Sequence, residues 1–110
     1  MRTFPMGPIL TMLILGHAVA NAQEIGNAAA GRAFAQDACA SCHAIGPKQT
    51  ASPNSDAPSF QELADTSGMT ATALTVWLQT SHPTMPNLQL TQDEKDDVIA
   101  YILSLRTRRD

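Results

Sequence analysis

Cys39-Ala40-Ser41-Cys42-His43 gathers both cysteines of the chain and one of its three histidines into a single turn of backbone. Whatever those side chains hold must sit at the end of the element that precedes them, so this stretch constrains the fold more than any other. The preceding element is a helix. Residues 27–38, NAAAGRAFAQDA, are rich in alanine, the best helix former, and open on Asn27, a favourable N-cap. After the motif, residues 44–58 (AIGPKQTASPNSDAP) carry three prolines and no hydrophobic period. That pattern is a loop, and a long one for so small a domain.

Further helices follow. Ser59-Phe60-Gln61-Glu62 fits a capping box, so a short helix starts there and carries Phe60 and Leu63 inward. A third helix covers roughly residues 70–81, where Leu74, Trp77, Leu78 and Ser81 recur at the spacing of one face. HPTMPNLQL, residues 82–90, cannot continue it, because its prolines remove N–H donors and bias their neighbours toward extended backbone. Thr91-Gln92-Asp93-Glu94 is a second capping box, with acidic residues at the positive end of a helix that runs to about Leu105. Val98, Ile102 and Leu105 form its apolar stripe, and Tyr101 widens it. Arg106, Arg108 and Arg109 suit the negative end of that helix and are expected to stay in solvent. There is no strand pattern, internal repeat or low-complexity segment, and the fold class is all-α.

Ahead of these helices stands MRTFPMGPILTMLILGHAVANA, with a positive charge at Arg2, an apolar run from Ile9 to Leu15, and small residues after it. Ala20 and Ala22 place secretory cleavage before Gln23, while Ala18 and Ala20 offer a second register before Asn21. The apolar run is far shorter than the ~20 residues of a membrane helix. The expected division is therefore a leader over 1–22 and one domain over 23–110, exported and without stable membrane insertion.

Removing 22 of the 110 residues leaves 88, with six Lys and Arg against ten Asp and Glu. That balance argues against nucleic acid as a partner, which needs a basic footprint. Only Phe34, Phe60, Trp77 and Tyr101 remain as aromatics. A domain of this size with so few large apolar side chains is marginal without a staple or a bound cofactor. A disulfide between cysteines two residues apart closes almost no loop and would add little.

Three chemistries use Cys-x-x-Cys-His. A structural zinc site wants four Cys or His ligands, and the mature segment offers only His82 beyond the motif. A thiol–disulfide centre uses Cys-x-x-Cys between a strand and a helix, whereas here a helix precedes it and a Pro-rich loop follows. Covalent haem needs two thiols to add to its two vinyl groups and an imidazole beside them for the iron, and the five residues supply all three. Haem also explains the thin core and agrees with export. The cofactor expected is one covalently attached haem c, held by Cys39 and Cys42, with His43 on the iron.

An iron with one protein ligand is open to small molecules, while an iron with two suits electron transfer. The candidates for the second are Met69, His82 and Met85. Met69 follows Gly68 at a helix start and has no clamp. Met85 lies in His82-Pro83-Thr84-Met85-Pro86, where two prolines restrict the backbone and can hold a loop against a flat group. Met85 is the favoured ligand, with an open site or His82 as alternatives.

Here the chain resembles the small class I c-type cytochromes of bacterial periplasms. The resemblance covers nearly all of residues 23–110 and rests on Cys39-Ala40-Ser41-Cys42-His43, on Met85-Pro86 and on Ala100-Tyr101-Ile102-Leu103-Ser104-Leu105. It implies about four helices wrapped around haem, the first and last crossing where Gly31, Tyr101 and Phe34 match the family's glycine and aromatics. In one respect the chain departs: the family aromatic stands four residues before the first cysteine, where this chain has Ala35. The resemblance also implies that the carbonyl of Pro58 accepts the N–H of His43. For Trp77 it implies an indole N–H near the haem edge or a propionate; a plain core tryptophan is the other reading. The function implied is a periplasmic monohaem carrier moving single electrons between redox proteins as a monomer or as a subunit of a redox complex, and not an enzyme. The alternatives are a small-ligand sensor with an open sixth position and a dedicated electron-accepting subunit of a dehydrogenase or oxidase.

Overall fold

The computed structural model describes residues 25–107, with Thr3, Gly7 and Gly16 as single positions before them. Apart from those three positions, the expected leader lies outside the described residues, as do Arg108 and Arg109. Helices α1 (Ala28–Ala38), α2 (Phe60–Asp65), α3 (Ala71–Gln79) and α4 (Gln92–Ser104) follow in chain order, with no strand among the described residues. The fold is all-helical, as the sequence led one to expect.

Each helix begins on a side-chain cap, because the first N–H groups of a helix have no partner inside it. Asn27 accepts from Ala30 N at 3.0 Å. Thr70 accepts from Ala73 N at 3.1 Å. Ser59 with Glu62 and Thr91 with Glu94 close both bonds of a capping box. The third helix ends at Gln79, where Thr80 turns extended (ψ 140°) ahead of Pro83.

α4 is the hub. It touches α1, α2 and α3, and those three make no contact with one another. Five consecutive residues, Val98 to Ile102, are buried on it, so the expected single stripe is widened into a band by helices arriving from several sides. The closest approach is to α1. A Cβ built on Gly31 would overlap the carbonyl of Asp97, and one on Gly26 (φ +103°) would overlap that of Asp96. Glycine is therefore required where the two helices cross, and Asn27 N–H adds a bond to Asp97 Oδ1 at 2.7 Å.

Ala35, four residues before the first cysteine, is fully buried, while Phe34 is half-buried and packs on the rim of the core. A small residue at the inner position brings α1 closer, and the aromatic moves one place outward. Eleven apolar residues form the buried core, and four of them are alanines. Burying a Val, Ile or Leu side chain contributes about 1.5–3 kcal/mol, and alanine much less, so this core is thin for its chain length.

The third helix departs from its expected face. Leu74 is buried at 3% exposure and Leu78 is half-buried, but Trp77 is 56% exposed. The reading of Trp77 as a core residue does not hold: among the described residues no helix covers that side of α3.

Candidate functional site

The motif continues the end of α1 as a turn. Cys39 N–H bonds to Ala35 O at 2.9 Å and caps the helix, and Cys42 N–H and His43 N–H return to Cys39 O at 3.2 and 2.9 Å. All three functional side chains thus leave one turn, and all are half-buried. The two cysteines form no disulfide with each other, and Cys39 packs against the core. Burial pushes the Cys39 thiol up to about 11. A redox-active Cys-x-x-Cys needs a thiol held low, so this environment works against thiol–disulfide chemistry. A sulfur bound through a thioether has no proton to lose and sits in apolar surroundings without cost. Among the described residues no three His, Cys, Asp or Glu side chains gather as a metal site.

The loop after the motif is tied at several points. Asn54 N–H bonds to Cys42 O at 3.1 Å, Ala44 N–H to Ser52 Oγ at 3.0 Å, and Phe60 N–H to Ala44 O at 2.9 Å. From α4, the buried Tyr101 hydroxyl donates to Ile45 O at 2.7 Å. These bonds hold Pro58 opposite His43, with Nδ1 2.6 Å from the Pro58 carbonyl. A carbonyl can only accept, so Nδ1 carries a proton, and in the neutral imidazole Nε2 keeps a free lone pair. Pro58 precedes the N-cap Ser59, so its carbonyl has no helical partner to serve. The imidazole also packs on Phe60, centroids 5.7 Å apart, and Phe60 on Tyr101 at 6.2 Å.

A second cluster forms where α3 meets the Pro-bounded stretch. Trp77, Leu78, His82, Met85, Leu88 and Leu90 line a shallow pocket. His82 is half-buried and packs edge-on against Trp77, centroids 5.2 Å apart. It is not the exposed histidine of a simple helix end, and its Nδ1 is buried without a partner. Met85 is half-buried; its N–H points to His82 O at 3.4 Å, and Thr84 between them adopts φ +73°. Met69 packs against the core instead. Among the described residues no hydrogen bond or ring contact joins the His43 cluster to the Met85 cluster.

These residues fit a haem. One cluster supplies two thiols and an imidazole whose tautomer frees Nε2; the other supplies a thioether, an orphaned imidazole nitrogen and apolar walls. The sequence reading missed a further junction. Arg106 is exposed, as expected, but it does more than complement the helix dipole: its Nε donates to Ala64 O at 3.1 Å and its Nη2 to Met69 O at 2.5 Å, clamping the segment between α2 and α3. Gln61 is buried at 7% exposure and bonds to residues on both sides of α2. Its one signal in sequence was a polar residue between the inward-facing Phe60 and Ala64.

An all-helical domain whose helices gather on the last one, with thiols and imidazole on one turn, has the build of a small haem-binding domain. The profile of the Cytochrome c family matches residues 28–106, all four helices, and the chain belongs to that family. Its cofactor is haem c, covalently attached, and Cys39 and Cys42 stand at the Cys-x-x-Cys spacing this requires. The chain is similar to Cytochrome c-552 of Bradyrhizobium diazoefficiens, at 38% identity over 68 residues, 62% of this chain and 64% of that protein. It thus spans less than two thirds of that relative's length. No solved structure gives a significant match.

Proposed function

We propose that this chain is an exported electron carrier. In this reading residues 1–22 are a leader cleaved before Gln23, and the domain of residues 23–110 works in the periplasm between redox-protein donors and acceptors. No helix among the described residues is long and apolar enough to cross a membrane. Cys39 and Cys42 would anchor the haem through thioethers, and His43 and Met85 would bind its iron. The observation that carries the reading is the 2.6 Å bond from His43 Nδ1–H to Pro58 O, which presents Nε2 in the form an iron needs.

The haem, when bound, supplies a one-electron couple. The protein's part is to keep the two axial donors still. Pro58 fixes the imidazole's tautomer and orientation. Pro83 and Pro86 restrict the backbone on either side of Met85. A thioether opposite an imidazole favours the reduced state compared with two imidazoles. Trp77, exposed and lining the same pocket as Met85, would offer its indole N–H to the haem's polar edge. The role is electron transfer rather than catalysis.

One observation favours a second reading of the sixth position: the buried, unpartnered Nδ1 of His82 in the same pocket as Met85. An open sixth position, which would make the chain a ligand sensor, is the third.

Covalent attachment is tested by mass spectrometry of the purified protein with a denaturing gel stained for haem peroxidase activity. The reading expects haem on the peptide that contains Cys39 and Cys42, and a mature N-terminus at Gln23. Free thiols and no stain would return the motif to thiol chemistry.

A further inference from the structure

We propose that Gln61 is a positioning residue for the imidazole of His43, acting through the loop that carries Pro58. The proposal rests on His43 being an iron ligand, as argued above. Gln61 lies in the first turn of α2, three residues after Pro58, and only 7% of it is exposed. A buried amide is costly unless its donors and acceptor find partners, and here both ends are engaged. Its Oε1 accepts from Lys48 N at 2.9 Å. Its Nε2 donates to Leu105 O at 2.7 Å, to Asp65 Oδ2 at 2.8 Å, and at 3.4 Å to Thr107 Oγ1.

One side chain therefore joins three pieces of chain: the loop after the haem motif, α2, and the end of α4. The connection matters because α2 touches neither α1 nor α3. The motif sits at the end of α1, while the carbonyl that orients its histidine sits at the start of α2. Their relation is set by the loop between them and by how each helix rests on α4. The Lys48–Gln61 bond closes that loop back onto α2, enclosing Pro58. It is made at a residue in the left-handed region, Lys48 at φ +61°, where a non-glycine backbone persists only when its surroundings hold it. The bonds to Leu105 and Asp65 hold the amide itself.

Without the Gln61 amide, Lys48 N–H loses its acceptor and the loop opens more often. The His43–Pro58 bond, itself at an exposed position, is then broken for a larger fraction of time. Losing one part-buried hydrogen bond of this kind makes local opening about tenfold more frequent.

The test uses the haem-loaded protein with ¹⁵N-labelled histidine. NMR follows exchange of the His43 Nδ1 proton in D₂O, and thermal unfolding is recorded beside it. Gln61→Met removes the amide and should speed exchange about tenfold. Gln61→Asn keeps an amide too short to span Lys48 and Leu105 together; it should act in the same direction, less strongly, and serves if Gln61→Met does not assemble. Arg106→Ala cuts the neighbouring α2–α4 junction but leaves Gln61 and Lys48 joined, so it should lower Tm without speeding exchange. Wild-type exchange in both Gln61 variants would overturn the proposal, as would equal acceleration by Arg106→Ala. If the wild-type protein shows no iron-shifted His43 signal, the ligation reading fails and the proposal falls with it. A shifted signal that Gln61 does not control refutes the positioning role alone.

Discussion

Gly31→Ala adds one methyl group at the crossing of α1 and α4, and its effect follows from what that methyl would meet. A Cβ at this position overlaps the backbone carbonyl of Asp97 and crowds Val98 N. Both belong to a helix whose own hydrogen bonds hold them in place, so neither can swing aside as a side chain would. Two contributions of opposite sign then compete. Alanine is the better helix former, by about 0.8–1.0 kcal/mol. Forcing extra volume into a packed contact costs about 1–3 kcal/mol, and backbone obstruction belongs at the upper end. Separating the helices also loosens contacts of Ala35 and Val98, which are 0% and 1% exposed, and stretches the Asn27–Asp97 bond. The net loss is about 2 kcal/mol. For a domain of this size that lowers Tm by roughly 8–16 °C. Thermal unfolding of the haem-loaded protein, followed by circular dichroism, reads it directly. Ala30→Gly, on the exposed side of the same helix, is the control and should lose only about 1 kcal/mol. A Gly31→Ala protein as stable as the wild type would refute a glycine-dependent crossing.

Other outcomes follow from the same contacts. Tyr101→Phe removes the donor to Ile45 O and should cost about 1–3 kcal/mol in urea unfolding, with the α-helical spectrum unchanged. Ser59→Ala opens the capping box at the start of α2 and should cost about 0.5–2 kcal/mol by the same measurement; a neutral result would mean the cap is redundant. Cys39→Ala/Cys42→Ala, which cannot take up covalent haem, should show no cooperative thermal transition, because the polypeptide's own core is thin and alanine-rich. A sharp transition in that variant would show that the cofactor is not needed to complete the core.

Much of the fold is legible in the sequence because the features that set it are local. Asn27, Ser59 and Thr91 mark helix starts through bonds to N–H groups three residues on, so a short window suffices. The motif is legible for the same reason: its three functional side chains lie within five residues. Pro58 is different, since its carbonyl faces a histidine 15 residues earlier and no spacing rule points to it; only family resemblance did. The exposure of Trp77 ran against periodicity, which marks a face as apolar without saying what covers it. Gln61 and Arg106 were unreadable because the bonds that join α2 to the end of α4 link residues 37 to 44 positions apart, across a junction that exists only once α2 rests there.

The identity of the sixth ligand separates a protein that moves electrons from one that catches small molecules. The most direct measurement is the long-wavelength charge-transfer band of a methionine–ferric iron bond, recorded at neutral pH on wild type, Met85→Ala and His82→Ala, with carbon monoxide binding to each reduced protein. With Met85 on the iron, the band is present in wild type and His82→Ala and lost in Met85→Ala, and carbon monoxide binds tightly to Met85→Ala only. No band and tight carbon monoxide binding in the wild-type protein would contradict it.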